Sequence, residues 1–227
     1  NEFECSDDDA DTCDDCSGGS YDVSSDGDDF DVDGTCDAGD STPWGEGSLS
    51  FGAVDGGSFA DNDDGTIDVL YNSNVDVHGF QFNVSGVTLT GASSDLGSVS
   101  VSSTTGNVIG FSFSGDVLPS GDGVLATLRF EPNGDTPDAC MSAEILSAAD
   151  GLQISSSGAD CAGVPAGILS SPASVVAVGG VNEVMLSWGS VEHAASYNVY
   201  RDGLLVGTTS STSYTDPESG FGLDYMT

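Results

Sequence analysis

The stretch Asp26–Asp40, DGDDFDVDGTCDAGD, sets the tightest limit on what this chain can fold into: seven of its residues are aspartate and none is Lys or Arg. Carboxylates packed that closely repel one another, so the stretch can be compact only with positive charge among them. The rest of the chain has almost none to offer. Across 227 residues, 38 acidic side chains face only Arg129 and Arg201, Lys is absent, and the formal net charge is −36. Sixteen of the acids fall in the first forty residues, which sets that segment apart as an acidic head.

Spacing identifies the cation. Counted from Asp29, the residues Asp29, Asp31 and Asp33 take positions 1, 3 and 5, Gly34 takes 6, Thr35 takes 7, Asp37 takes 9 and Asp40 takes 12, with Asp28 just ahead. Alternate side chains of such a loop turn inward, position 7 offers a backbone carbonyl, and glycine permits the sharp turn. This is the ligand spacing of a calcium loop. Hard oxygen ligands at this density select calcium over zinc or copper; the bland alternative is a solvated acidic loop. Two weaker loops accompany it. DVSSDGD places Asp22, Ser24 and Asp26 at 1, 3 and 5, Gly27 at 6 and Asp33 at 12, although Phe30 takes position 9. DDDADTCDDC gives Asp7, Asp9 and Asp11, then Asp15 at 9, but Thr12 stands in place of the glycine. The expectation is two or more calcium ions. Phe3, Tyr21 and Phe30 are too few to order the head as a hydrophobic core, so metal and disulfides must do so, with ion binding coupled to folding.

An EF-hand would need flanking helices, and neither GGSYDVSS before the loop nor STPWGEG after it, with Pro43 close behind the last ligand, can supply one. On DFDVDGTCDAGD and the upstream CDDCSGG, residues 5 to 40 resemble thrombospondin type 3 calcium repeats, in which aspartate-rich loops wrap several ions and are pinned by disulfides.

Six cysteines in local groups indicate export to an oxidising compartment. Spacing favours the pairs Cys140–Cys161, Cys16–Cys36 and Cys5–Cys13. The C-x-x-C at Cys13 and Cys16 lacks the second such motif or clustered His that a zinc site requires. It also lacks the nearby cation that a redox thiol requires, so structural disulfides are expected.

Beyond the head, helical periodicity is nearly absent. Apolar residues alternate in TIDVLY, GFQFNV, VIGFSFSG and GVLATLRF, punctuated by turns such as NDDG and PNGD, which predicts a mainly β chain built on an antiparallel sandwich. After Pro165 and Pro172, which bracket an expected linker, a second set follows: EVMLSWGS, SYNVYRDGLLVGTT and TSYTD. The Asp-Gly between two alternating strands marks a hairpin. Three segments result: 1–46 as the acidic head, 47–167 as a sandwich and 168–227 as a smaller β-unit.

On LSFGAVDGG, IDVLYNSNVDVHGFQFNVSGVTLTGAS and VIGFSFSGDVLPSGDGVLATLRFE, the middle segment resembles cohesin-like domains, sandwich modules of bacterial secreted and cell-surface proteins; cohesins bind dockerins, which are calcium-loop modules. On Trp188, YNVYRDG and TSYTD, the last segment resembles a fibronectin type III domain. Such a domain carries two further strands beyond the point reached at FGLDYMT, where a turn is expected. That implies either a piece of a longer protein or completion by another subunit; an open sheet edge is adhesive in both cases.

The acidic surface makes nucleic acid and anionic membranes poor partners, and no run approaches the ~20 apolar residues of a membrane span. His78 and His193 lie far apart in sequence, no nucleophile elbow is present, and no catalytic residue is assigned. Asn83 in NVS is a weak glycosylation acceptor. The expected function is a secreted, calcium-stabilised structural or adhesive protein, a subunit of an extracellular bacterial fibre that associates with its neighbours or with other surface proteins or polysaccharide. The alternative is a non-catalytic accessory region of a secreted polysaccharide-degrading enzyme or scaffold.

Overall fold

A computed structural model describes residues 7–24, 26–158, 160–217 and 225–226 of the chain. Regular structure among them is β apart from one 3-10 turn, Ala149–Gly151, in keeping with the short alternating runs. No helix among the described residues is long and apolar enough to cross a membrane. Two compact units emerge: Asn1–Val54 with Thr66–Glu131 and Pro137–Val164, and Asp55–Gly65 with Pro132–Thr136 and Pro165–Thr227. The acidic head therefore shares a unit with the first sandwich.

In the first unit one continuous ladder runs β4-β7-β2-β1-β9-β8-β3-β6-β5. Its strands are β1 (Glu46–Asp55), β2 (Gly65–Ser73), β3 (Gly79–Ser85), β4 (Leu89–Ser93), β5 (Ser98–Val101), β6 (Asn107–Phe111), β7 (Gly121–Phe130), β8 (Asp138–Ser147) and β9 (Gln153–Ser157). A short β10 (Cys161–Gly163) pairs with β8, and β1 runs parallel to β9. Period-two alternation decides which face is buried. On β2, Ile67, Val69 and Tyr71 point inward; on β3, Phe80, Phe82 and Val84 do. One apolar cluster joins these to Leu125 and Leu128 of β7 and Leu146 of β8, so the ladder folds back over a single core. Each such side chain contributes roughly 1.5–3 kcal/mol by leaving water.

Two local features shape the outward face of this sheet. On β6, Val108 and Gly110 are buried whereas Ile109 and Phe111 face outward. Gly110 is required because a Cβ there would overlap the Phe80 ring, so the aromatic weight of VIGFSFSG falls on the exposed side. On β8, Ala139 and Met141 point inward, yet so does Leu146. Parity switches because Gln81 pairs with Ile145 while Asn83 pairs with Ser142, and Ala143 takes φ 56°. A β-bulge absorbs the extra residue and leaves Ile145 exposed.

The second unit holds two three-stranded sheets. β11 (Val176–Gly179), β12 (Val184–Ser187) and β15 (Ser213–Asp216) form one, in the order β11-β12-β15; β13 (Tyr197–Arg201), β14 (Leu204–Thr209) and β16 (Tyr225–Met226) form the other, in the order β14-β13-β16. Leu186, Trp188, Tyr197 and Val199 make its small core, with the Trp188 ring edge-on to Tyr197 at 5.3 Å. Asp202 and Gly203 both have positive φ, 50° and 79°, as the Asp-Gly hairpin predicts. The Arg201 guanidinium donates to both carboxylate oxygens of buried Asp216 at 3.0 Å, tying β13 to β15 across the two sheets.

The turn expected to begin at FGLDYMT lies outside the described residues except for Tyr225 and Met226, which pair with Arg201 and Tyr200 as a short strand. One expectation needs correction. The Pro165–Pro172 stretch, expected as a linker, is tied down by backbone hydrogen bonds: Gly167 N–H donates to the Asn133 carbonyl and Ile168 N–H to that of Gly57, each at 2.9 Å. Proline punctuation marks where regular structure stops, not whether the backbone finds partners.

Candidate metal centre in the acidic head

The head is folded by its own turns. Asp11 accepts a hydrogen bond from the Cys13 N–H and Asp33 from the Thr35 N–H, both at 2.8 Å. These carboxylates hold position 5 in their respective loops, and the bonds reach position 7 in each. The likeness continues in the backbone. Positions 4 and 6 have positive φ in both loops: Ala10 (63°) and Thr12 (75°) in the first, Val32 (58°) and Gly34 (91°) in the second. Thr12 thus adopts the conformation for which the other loop uses glycine, at the steric cost a β-branched residue bears there.

The carboxylates converge accordingly. Among the described residues, Asp29, Asp31 and Asp33 bring ligand atoms within 4.8 Å of one another, and so do Asp7, Asp9 and Asp11. A further set, Asp9, Asp15 and Asp26, joins residues drawn from two different linear loops. Asp22 does not join them; its carboxylate accepts from the Ser24 N–H and hydroxyl, at 3.1 and 2.8 Å. Asp37 accepts from the Phe30 N–H at 2.9 Å, and Asp40 from the Thr42 N–H at 2.9 Å. Asp28 contributes a backbone carbonyl that holds the Asp37 N–H at 2.8 Å.

Burial separates some of these carboxylates from the rest: Asp7, Asp9 and Asp33 are exposed, whereas Asp15, Asp26 and Asp31 are buried. Asp26 is 5% exposed and Asp31 8%. The Oδ2 atoms of Asp26 and Asp40 and Oδ1 of Asp31 are enclosed without a hydrogen-bond partner. A buried, unpartnered carboxylate oxygen is costly. Desolvation, followed by the charges of Asp11, Asp15 and Asp7, raises the pKa of Asp9 above the ordinary carboxylate range. Desolvation and then Asp11, Asp9 and Asp15 do the same for Asp26. A bound cation would reverse both effects by pairing each oxygen. The donor set of hard oxygens therefore fits calcium.

The disulfides correct one expectation and agree with another. Cys140 pairs with Cys161, directly opposite it in the β8–β10 ladder. In the head, however, Cys13 bonds Cys36, with Cα atoms 5.5 Å apart, which replaces the expected Cys16–Cys36 and Cys5–Cys13 pairs. The reason is that the two similar loops lie side by side: the Cys36 N–H donates to the Asp11 carbonyl at 2.7 Å. Gly27 packs against both sulfurs, where any Cβ would overlap them. The sulfurs beside Asp11 are thus disulfide atoms and not thiolate ligands. Cys16 is free of disulfides among the described residues, and Cys5 lies outside them.

Elsewhere the candidate chemistry is sparse. His193 stacks on Phe59 at 4.7 Å, and His78 is an exposed residue whose N–H donates to the Ser147 carbonyl at 2.7 Å.

Fold and site together define a mainly β chain with an oxygen-rich, disulfide-pinned head. No family model matches it, and no curated protein does. Among solved structures it is similar to a chain of a type I cohesin–dockerin complex from Clostridium thermocellum, at 14% identity over 53% of this chain and 94% of that one, with a TM-score of 0.37. It is also similar to a non-cellulosomal cohesin from the archaeon Archaeoglobus fulgidus, at 12% identity over 53% and 92%, TM-score 0.38. The seventh ScaB type I cohesin from Pseudobacteroides cellulosolvens gives 13% identity over 53% and 93%, TM-score 0.35.

Proposed function

We propose that this chain is a non-catalytic structural or adhesive part of a secreted protein, with a head ordered by two or more calcium ions and β-units that associate with neighbouring copies. One observation carries the reading: Asp26 Oδ2 and Asp31 Oδ1 are enclosed without a hydrogen-bond partner, both residues belong to sets of converging carboxylates, and the chain has no Lys with which to neutralise them. Of its two arginines, Arg201 is held by Asp216 and Arg129 sits on β7. Asp29, Asp31 and Asp33 would hold one ion and Asp9, Asp15 and Asp26, with Asp7 or Asp11, another; the ions would supply the positive charge that lets these loops pack.

A surface feature supports association. The adjacent strands β3, β6 and β5 contain no ionisable residue, in a chain with 38 acids. Ile109, Phe111 and, on β8, Ile145 lie exposed on this sheet, and Phe113, just past β6, is 87% exposed against Phe111. Apart from Asp116, whose carboxylate is held by Ser112 and Ser114 beside Phe113, this is a face that a second copy of a strongly acidic molecule can approach with few carboxylates meeting.

Calorimetric titration with calcium tests the first part, with at least two equivalents taken up. Electron microscopy of the full protein with and without chelator tests the second, with regular axial repeats expected in calcium. No heat of binding would end the calcium reading, and dispersed single particles in calcium would end the association.

A further inference from the structure

The Asp29 loop touches the sandwich through consecutive residues. The Phe30 ring packs edge-on against Trp44, two residues before the start of β1, with centroids 5.7 Å apart. The Asn74 amide, in the turn after β2, donates from Nδ2 to Asp31 Oδ2 at 2.8 Å and accepts the Glu46 N–H at its Oδ1 at 2.7 Å. Asn74 therefore holds a candidate ligand with one end and the first residue of β1 with the other. Asp31 has two different oxygens: Oδ2 accepts from Asn74, while Oδ1 is enclosed without a hydrogen-bond partner, and the residue converges with Asp29 and Asp33.

We infer that the Asp29–Asp31–Asp33 site is a clasp, in which cation binding locks the head to the sandwich and Asn74 is the positioning residue that transmits it. This rests on the calcium reading above. With Asp31 free to rotate, three carboxylates repel and the loop is loosely held. With a divalent cation among them, Asp31 is fixed at Oδ1, its Oδ2 stays on Asn74, and Phe30 is seated on Trp44. Ligand orientation by an outer amide is the usual way in which a protein ties a metal site to its scaffold. The ion's binding free energy then stabilises the whole unit and not the head alone.

The test uses the full chain and follows the sandwich by hydrogen exchange of β3 and β8 amides during heating, while calorimetry counts bound calcium. In the unsubstituted protein, calcium at a hundredfold excess over its Kd should raise the sandwich midpoint by roughly 5–10 °C. In Asn74→Ala, calcium should still bind, but at least half of that rise should vanish. Because Asn74→Ala also removes the acceptor for the Glu46 N–H, each variant is referred to its own calcium-free midpoint, and Trp44→Ala, which leaves that bond intact, should show the same uncoupling. A calcium-induced rise unchanged in both variants overturns the clasp. So does calcium binding with no shift of the sandwich in the unsubstituted protein. Absence of calcium binding would instead remove the underlying metal reading, so the two failures are distinguishable.

Discussion

At the scale of single residues, the head is held by atoms that leave no room for alternatives. Gly27 lies against both sulfurs of the Cys13–Cys36 bridge, and any side chain there would displace a rigid covalent link. Gly27→Ala should therefore lower the stability of the head by about 1–3 kcal/mol, the usual cost of overpacking, seen as a lower melting midpoint under fixed solution conditions. An unchanged midpoint would show that the bridge can shift at little cost. The convergence of Asp29, Asp31 and Asp33 was legible in the sequence, because alternate spacing fixes which side chains of such a loop turn the same way. The capture of Asp26 by Asp9 and Asp15 was not. A linear pattern presumes that one ion is held by one loop, whereas here the Cys13–Cys36 bridge folds one loop onto another. Positive φ at Ala10 and Val32 was likewise hidden, since neither residue type signals it.

At the scale of elements, alternation revealed strands but not which face they offer. TIDVLY and GFQFNV were readable as half-buried strands because one face is uniformly apolar. VIGFSFSG alternates just as clearly, yet its larger apolar residues face out: Phe80 fills the space in which a side chain at Gly110 would sit, and Ile109 and Phe111 lie exposed. The parity switch at Ala143 had no sequence signal, because a bulge depends on cross-strand register and not on local composition. In the second unit, Arg201 shows how a scarce cation is used. Its bidentate bonds to Asp216, only 3% exposed, join the two sheets. Arg201→Met would leave that buried carboxylate without its guanidinium and should cost about 3 kcal/mol. Arg129→Met, at an exposed position of β7, should stay within about 0.5 kcal/mol. Urea unfolding followed by Trp188 fluorescence, in a Trp44→Phe background, measures the first. Equal effects from the two variants would show that the Arg201–Asp216 pair joins nothing of consequence.

At the scale of the whole molecule, a net charge of −36 sets two competing tendencies. Copies should repel at long range, while on the proposed association the apolar residues Ile109 and Phe111, on strands without an ionisable side chain, would attract at short range. Sodium chloride separates them, because it shortens the reach of the repulsion to about 8 Å at physiological strength and does not weaken apolar contact. Association of copies should thus rise with sodium chloride, opposite to what a contact made of ion pairs would do. Sedimentation velocity at low and high salt, in constant calcium, should show the weight-average mass climbing above that of the 22.8 kDa chain. In Ile109→Ser/Phe111→Ser it should remain that of one chain, with calcium uptake unaltered because neither residue belongs to the head. Both side chains already face solvent in the isolated unit, so the substitution should leave the folded sandwich intact. If the mass falls with salt, the contact between copies is electrostatic, carried by calcium bridging between carboxylates and not by this face.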